Sequence, residues 1–379
     1  MRLYLLVFFA ATAFAFIADV MQRQISNMGQ GEPLSLHARH SLAVLRSGRV
    51  MMIIFSALVY ILLSGLRYDT GYDYMYSYVP SLDVVRGGDV SHYDPFFNMI
   101  IGIFARFSSD QWFFACTAAY TVIMIYVGFS MDSKYIIVPV ALFFTSFNYL
   151  RSFCFVAQYV AMATVFVGFL LLLKKRYSAA VILLVLGILI HKSAEVMIVL
   201  YLLYFLGNKI ILILSFMFPL IAEMAQSLFR SLLISVSANS RFETYIDGQY
   251  DIGYEDMSLI YANLTIFLLF LFVVFCQREI FSYNKKGTMY LMIQSLALGF
   301  SLLQTVIPVG YRFVWYFALF QLISIPYMLR LILKGSLYYI VCAIICILYF
   351  FWMVKYPIAN GASQVLPYHP VFNPNISIE

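Results

Sequence analysis

Residues 49–74 decide the fold. Arg49 is followed by the apolar run VMMIIFSALVYILLSGL, which ends in Arg67-Tyr-Asp-Thr-Gly-Tyr-Asp-Tyr74. A helix needs about 20 mainly apolar residues to cross the hydrocarbon core of a bilayer, and this run approaches that length. One arginine, two carboxylates, one glycine and three tyrosines then follow within eight residues. Polar groups collected where a helix leaves the bilayer indicate a site rather than ordinary surface.

The composition of the whole chain defines its class. Hydrophobic residues make up 63% of the 379 residues, charged residues make up 11%, and the mean hydropathy is +0.88. A soluble protein of this composition would have too little polar surface to cover itself. Apolar runs repeat along the chain without a composition break that marks a linker. We therefore expect one all-α, polytopic membrane domain over residues 1–379.

Twelve apolar segments are predicted to span the membrane, with both termini outside. They cover approximately residues 3–18, 49–66, 111–130, 135–150, 153–173, 177–190, 193–206, 210–224, 259–276, 288–307, 313–329 and 337–354. The cytoplasmic loops then hold fourteen basic and four acidic residues, and the outer side holds ten basic and fourteen acidic residues. This asymmetry follows the positive-inside rule. The net charge of +6 is therefore mainly an orientation signal and argues against a nucleic-acid partner.

Three parts of this topology have alternatives. The first eighteen residues are similar to a secretory signal, but the charge distribution favours a retained helix. Segments 177–190 and 193–206 are short, yet one helix over both would be too long and would reverse every later loop. Residues 93–107 form a short amphipathic helix that we place along the outer interface, and a re-entrant hairpin is its alternative.

The predicted topology sends the unusual polar residues to one side. The outer loops 67–110 and 225–258 and the outer helix ends receive Arg67, Asp69, Asp73, Asp94, Arg151, His191, Lys192, Glu195, Arg241 and Arg312. Asp and Arg near the bilayer centre cost about 2.5–3.5 kcal/mol each, so they persist where they are paired or line a wet cavity. We therefore predict a pocket on the outer face of the membrane.

The first outer loop offers groups for sugar binding and proton transfer. The glycine between Asp69 and Asp73 can take a positive φ and turn the chain. One carboxylate would transfer a proton, while Tyr72 and Tyr74 would stack on sugar rings and bond to hydroxyls. The structural alternative is that Arg67 pairs with a carboxylate to fix the loop and that the tyrosines anchor at the membrane interface.

A second set of candidates surrounds Arg151. Asn148, Arg151, Phe155 and Gln158 are spaced by three, four and three residues. On a continuous helix this spacing places Asn148, Arg151 and Gln158 along one stripe. The planar guanidinium matches a pair of phosphate oxygens, which a lysine does not. An arginine that reaches to the lipid headgroups is the alternative, but the two amides on its face favour binding.

His191 and Glu195 are four residues apart and can meet if one helix carries both. A carboxylate that holds an imidazole suits a general base near neutral pH, and helix capping or structural pairing is the alternative. Two ligands are too few for a metal site, and the five cysteines lie in or beside apolar segments without metal-site spacing. We predict no metal and no cofactor.

Two further arginines lie on the predicted outer side. Arg241 belongs to the acidic, aromatic segment 225–258, which suits a carbohydrate surface and equally a solvated loop. Arg312 follows Pro308-Val-Gly-Tyr311 at an outer helix entry. It is a second phosphate candidate, with a lipid headgroup contact as the alternative.

The chain resembles a known family. Ser64-Gly-Leu-Arg-Tyr-Asp-Thr-Gly-Tyr-Asp-Tyr74 is similar to the signature of EpsG-like proteins, a branch of the Wzy-type polymerases of O-antigen, capsule and exopolysaccharide. Further similar stretches follow in the same order, namely Ser146-Phe-Asn-Tyr-Leu-Arg151, Ile190-His-Lys-Ser193, Arg241-Phe-Glu-Thr-Tyr245 and the closing Val365-Leu-Pro-Tyr368. Such relatives usually continue from the arginine with a glutamine and an alanine, whereas this chain has Ser152-Phe153-Cys154.

The resemblance implies a glycosyltransferase of the bacterial inner (plasma) membrane. It would move a growing glycan from one undecaprenyl pyrophosphate to the sugar end of another lipid-linked repeat unit. Its partners would be that lipid-linked oligosaccharide, membrane lipids and a chain-length regulator. For this chemistry we assign the pyrophosphate to Arg151 and Arg312, and the sugar and proton steps to Asp73, His191 and Arg67, with Glu195 orienting His191.

Three rival classes share parts of this pattern. A lipid-linked oligosaccharide flippase would also need a basic, wet cavity, but its charges would line the whole passage. An acyltransferase would need a histidine-centred base and a cytoplasmic route for its acyl donor, whereas His191 is placed outside. A glycosyltransferase that uses a polyprenyl-phosphate sugar would differ only in its donor.

Overall fold

The computed structural model describes residues 1–28, 36–237, 257–307, 309–373, 375 and 378, and helices dominate it. The helices are α1 (Arg2–Met28), α2 (Leu36–Gly65), α3 (Val79–Arg86), α4 (Pro95–Phe104), α5 (Gln111–Asp132), α6 (Ile137–Thr145), α7 (Asn148–Arg151), α8 (Val156–Leu173), α9 (Tyr177–Ile190), α10 (Met197–Tyr204), α11 (Asn208–Met224), α12 (Gln226–Ser237), α13 (Met257–Cys276), α14 (Arg278–Phe281), α15 (Lys285–Leu302), α16 (Tyr311–Ala318), α17 (Gln321–Ile332) and α18 (Gly335–Met353). Shorter elements are π-helical turns at Tyr74–Tyr78 and Val354–Ile358, 3-10 turns at Lys192–Val196, Leu303–Thr305 and Ala362–Gln364, and strands β1 (Arg67–Tyr68) and β2 (His369–Pro370).

The expected all-α, multi-pass membrane architecture is confirmed. Six helices within the described residues are long and apolar enough to cross a membrane, namely α1, α2, α5, α8, α13 and α18 with its extension to Ile358. A seventh span results if α16 and α17, which meet at a 47° bend, cross together. Each of the twelve predicted segments coincides with helical structure, but several are too short to cross alone. The number twelve and the outer location of both termini stay predictions.

The chain divides into two compact units, residues 1–192 with 339–379, and residues 193–338. In the first unit α8 is the central helix, since 89% of its apolar stretch is buried compared with 28% of that of α1. Helices α5 and α9 pack against α8. The close approach of α5 depends on Gly128, because a Cβ there would lie 2.2 Å from the Phe166 ring. Small residues serve this purpose at helix interfaces in membranes.

The second unit is organised around α15, which contacts α11, α13 and α16. Three buried amides, Asn263, Gln294 and Gln321, join α13, α15 and α17. The Gln321 side chain donates to Asn263 Oδ1 and to Gln294 Oε1, each at 2.9 Å, and Gln294 donates to the Asn263 carbonyl at 2.9 Å. Hydrogen bonds of this kind stabilise helix association where water is excluded.

Several apolar segments are interrupted. The predicted span 135–150 is split into α6 and α7 at Phe147, whose φ is 65°. Residues 152–155 then separate α7 from α8. Another interruption follows α9, where His191 is extended and a 3-10 turn begins at Lys192, which confirms the predicted break between 177–190 and 193–206. Non-helical backbone in a membrane protein persists where it is buried in protein or lines a wet cavity.

A polar side chain from a distant segment also satisfies the backbone groups at the start of α6. Buried Asp19 on α1 accepts hydrogen bonds from the Ile136 and Ile137 N–H groups at 2.8 and 3.1 Å, at the start of α6. The first N–H groups of a helix have no partner within the helix, so an external acceptor stabilises its start.

Candidate functional site

The signature loop at 67–74 is fastened to the C-terminal segment of the chain. Strand β1 pairs antiparallel with β2, so that Arg67 faces Pro370 and Tyr68 faces His369. The Gly71 and Tyr72 N–H groups continue this attachment, donating to the Gln364 and Ser363 carbonyls at 3.0 and 2.9 Å. The loop thus has a fixed backbone, held by residues almost 300 positions further along the chain.

Gly71 brings the same loop against the interruption between α7 and α8. Its φ is +101°, which confirms the predicted positive-φ turn between Asp69 and Asp73. A Cβ at this position would lie 2.7 Å from the Phe153 carbonyl oxygen. The signature loop and the Arg151 stretch, which the sequence suggested as separate motifs, are therefore in direct contact.

Arg67 fixes this contact. Its side chain is 1% exposed, and its guanidinium donates to the Thr70 and Phe153 carbonyls, each at 3.2 Å, and to the Ser64 carbonyl. The guanidinium carbon also lies 5.2 Å from the centre of the Phe114 ring and 4.9 Å from that of Phe153. Burial lowers the pKa of Arg67, and nearby tyrosines oppose this change.

These contacts revise both interpretations of Arg67. Its partners are backbone carbonyls and aromatic rings, and among the described residues neither Asp69 nor Asp73 forms an ion pair with it. A guanidinium that is enclosed in this way has little surface for a substrate. The geometry favours an arginine that holds the loop, through carbonyls rather than through the predicted carboxylate.

The two tyrosines predicted to stack on sugars have different environments. Tyr74 is buried, and its ring stacks on Phe114 at 3.8 Å with an interplanar angle of 10°. Tyr72 is 49% exposed and stacks on Tyr76, which is 70% exposed, at 4.9 Å. Only the Tyr72 ring is accessible, so Tyr74 is better explained as a packing residue.

Asp73 is half-buried beside a pair of tyrosines, whereas Asp69 is exposed. The Tyr78 and Tyr93 rings stack at 5.4 Å with an angle of 7°. Burial raises the pKa of both hydroxyls, and the charge of Asp73 adds to the effect. Both tyrosines therefore stay neutral at physiological pH. The Tyr78 oxygen accepts a hydrogen bond at 3.1 Å from the N–H of Ala157, the second residue of α8.

Arg151 is the last residue of α7, the short helix between the break at Phe147 and the non-helical residues 152–155. It is 8% exposed, and its guanidinium lies over the Phe147 ring at 5.2 Å. It hydrogen bonds to Tyr159, whose hydroxyl donates to Asn148 Oδ1 at 3.0 Å. The Asn148 amide in turn donates to the Ser146 hydroxyl at 2.8 Å. The left-handed conformation of Phe147 costs of order 1–3 kcal/mol and is typical of functional sites.

The predicted stripe of Asn148, Arg151 and Gln158 on one continuous helix is wrong. Asn148 and Arg151 belong to the short α7, and buried Gln158 lies on α8 beyond the non-helical residues 152–155. Asn148 and Arg151 still meet, because Tyr159 contacts both. Tyr159 is one residue of a long apolar run, and no feature of the sequence distinguishes it.

A narrow crevice with a volume of about 10 Å³, room for about one water molecule, lies beside the signature loop. It is lined by Ser64, Arg67, Thr117, Ala118, Thr121, Ser152 and Val156. Ligand pockets usually measure about 300–1,000 Å³, so this crevice suits a water molecule rather than an oligosaccharide. The crevice thus lies between the signature loop, the Thr117 and Thr121 hydroxyls of α5, and Ser152, which follows Arg151.

His191 and Glu195 do not share the single helix on which their predicted pairing depended. Helix α9 ends at Ile190, His191 is extended with φ −150° and ψ 117°, and Glu195 belongs to the 3-10 turn. The backbone N–H of Lys192 instead donates to Asp94 Oδ2 at 2.8 Å. Asp94 precedes Pro95 at the start of α4, a combination that signals a helix start in a sequence.

The remaining candidates lie in the second unit or outside the described residues. Arg312 lies in the first turn of α16, one turn before Tyr316, whose hydroxyl is 3.0 Å from that of Ser193. Residues 226–237 of the predicted outer loop form α12, and Arg241 lies outside the described residues. Within the described residues, no group of three or more His, Cys, Asp or Glu side chains is placed to hold a metal ion.

Fold and site together define a multi-pass helical membrane protein in which a polar loop is fastened onto interrupted helices. The sequence profile of the EpsG family matches residues 50–369, which is most of the chain. The chain therefore belongs to the EpsG family, a family of Wzy-like polysaccharide polymerases. The match begins in α2 and ends in β2, so it includes the signature loop and the segment that holds it. The chain matches no curated protein and no solved structure.

Proposed function

We propose that this protein joins undecaprenyl-pyrophosphate-linked oligosaccharide repeat units on the outer face of the bacterial plasma membrane. Membership of the EpsG family over residues 50–369 is the observation that carries this proposal. The arrangement of Arg151, Asn148 and Tyr159 at a helix interruption supports it, because it offers a preorganised cation beside a polar loop.

The proposed reaction exchanges one glycosidic bond for another. The bond between the anomeric carbon of the growing glycan and the phosphate oxygen of its lipid carrier breaks. A hydroxyl of the acceptor unit forms the new bond and loses its proton. The chemistry therefore needs a cation that stabilises the departing pyrophosphate and a base that receives the proton.

Arg151 is the proposed cation. The Phe147 ring and the Tyr159 hydroxyl hold its guanidinium in place. A guanidinium offers paired donors to two phosphate oxygens, and a group that is already oriented does not have to reorganise during the reaction. Arg312 remains the second candidate for the pyrophosphate, on α16 of the other compact unit.

Asp73 and His191 are the proposed alternatives for the base. Asp73 is half-buried, and its charge acts on the hydroxyls of buried Tyr78 and of Tyr93, which stay neutral. His191 lies in the extended residue between two helical elements, where its ring is not confined to a helix face. Tyr72 would supply the accessible ring for sugar stacking.

Substitutions of Arg151 test the proposal in cells that lack the native gene. We expect R151A to insert at the wild-type level and to produce no long polymer, and R151K to fail as well because lysine lacks the paired donors. R176A, which removes an exposed arginine at the turn before α9, is the matched control and should support a normal ladder. Polymer of normal length from R151A would remove this residue from the mechanism.

A further inference from the structure

Asp94 makes an unusual contact for a residue at the start of a helix. An aspartate in this position normally accepts a hydrogen bond from an N–H in the first turn of its own helix. The Asp94 side chain makes no such bond to α4. Its Oδ2 atom accepts instead from the N–H of Lys192 at 2.8 Å, across 98 positions of the chain.

The Lys192 N–H is a group that requires an external partner. It opens the 3-10 turn that follows extended His191, and the first N–H groups of a helical turn have no acceptor within the turn. A charged acceptor forms a stronger hydrogen bond with such a donor than a neutral one. The Asp94 contact therefore fixes the backbone on the C-terminal side of His191.

Helix α4 is a firm support for this contact. Phe97 and Ile101 bury one face of α4, and the helix packs against α9 as well as α3 and α5. At its other end, Arg86 donates to the Ala105 carbonyl at 3.1 Å and is itself held by the carboxylates of Asp83 and Asp110. Both ends of α4 are thus tied to neighbouring segments.

We infer that Asp94 is a positioning residue, which orients His191 by holding the backbone of Lys192. The inference rests on the proposed function, since it gives His191 a part in the reaction. Asp94 needs an acceptor oxygen for this role and transfers no proton. An asparagine keeps an oxygen in the same place, whereas an alanine removes it.

The test compares D94A, D94N and the control D89A, which changes an exposed aspartate on the same outer segment. One readout is the rate at which K192C reacts with a maleimide in membranes, in a background whose five native cysteines are alanine. The other is the polymer ladder in cells that lack the native gene. Loss of one charge-assisted hydrogen bond corresponds to about a tenfold change or more in a local equilibrium.

We expect D94A to label about tenfold faster or more and to lose long polymer to a similar extent. D94N should stay close to wild type in both readouts, and D89A should change neither. The positioning role is overturned if D94A behaves as wild type, or if D94N loses polymer while its labelling rate is normal, because the charge itself would then be required. If the wild-type chain produces no ladder, the proposed function fails, while the labelling rates still decide whether Asp94 holds Lys192.

Discussion

Arg67 illustrates at the residue scale how a charge is accommodated inside this protein. An isolated buried charge is costly, and it persists only where dipoles or opposite charges surround it. Three backbone carbonyls and two aromatic faces take that role for Arg67. The most distinctive arginine of the sequence is therefore part of the scaffold, and the Arg151 cluster is the better candidate for chemistry.

Replacing Gly71 with alanine is predicted to destabilise the protein. Alanine there would combine an unfavourable positive φ with a Cβ 2.7 Å from the Phe153 carbonyl oxygen. Backbone strain alone costs of order 1–3 kcal/mol, and the steric conflict adds to it. We expect Gly71→Ala to lower the Tm of the purified protein in detergent and to reduce its amount in membranes.

Gly88 provides the matched control for Gly71. Its φ is +95°, but a Cβ there would meet nothing within 4 Å. Gly88→Ala should therefore cost only the strain term. Equal losses of Tm for the two variants would contradict the close approach of Gly71 to the Phe153 carbonyl.

At this scale the sequence predicted a feature correctly where a residue type has a known backbone preference. Gly71 was predicted to allow a turn, and it does. The contacts of Arg67 and Arg151 were not predictable, because they depend on how the chain turns. Phe114 and Phe153 are distant from Arg67 in the chain, and Tyr159 contacts Arg151 across the break at residues 152–155. A hydrophobic pattern records which side chains are apolar, not which distant carbonyl faces them.

At the scale of elements, backbone N–H groups at helix starts and after helix interruptions donate to side chains from other segments. Asp19 caps the start of α6, Tyr78 accepts from the start of α8, and Asp94 accepts from the turn after α9. A buried backbone group without a partner carries its full desolvation cost, and these side chains remove that cost. These polar contacts make short, broken helices tolerable in an apolar protein.

Tyr78 allows this explanation to be tested. Tyr78→Phe removes only the oxygen that accepts from the Ala157 N–H, and a buried donor left without a partner costs about 1–3 kcal/mol. Tyr74→Phe is the control, because within the described residues the Tyr74 hydroxyl makes one long bond, 3.4 Å to Gln111. We expect a clear fall in Tm for Tyr78→Phe and a smaller one for Tyr74→Phe, measured by thermal unfolding in detergent. The reverse order would refute the capping role.

Element boundaries show where sequence reasoning succeeds and where it stops. The polar stretch His191-Lys-Ser correctly indicated a break, because polar residues interrupted an apolar run. A break near residues 151–152 was predicted between the spans 135–150 and 153–173, but its extension to residue 155 was missed because Phe153 and Cys154 are apolar and continue the hydrophobic pattern. The pairing of β1 with β2 was also missed, since two residues per strand leave no periodicity to detect.

The charge distribution predicts an orientation for the whole molecule, and accessibility of introduced cysteines tests it. Cysteines introduced by Tyr72→Cys and Asp89→Cys should react with an impermeant maleimide in intact cells that lack the native cysteines. Those introduced by Arg176→Cys and Tyr283→Cys should react only after permeabilisation, and the native residues at all four positions are exposed. Labelling of both pairs from the same side would overturn the predicted topology.

The central claim is that this chain polymerises lipid-linked repeat units, and the glycan profile of a strain without it tests that claim most directly. On a gel, we predict products with a single repeat unit in place of a ladder, with the ladder restored by the wild-type chain and not by R151A. Accumulation of the unit on the inner leaflet would indicate a flippase instead. A ladder of unchanged length in the deletion strain would contradict the account.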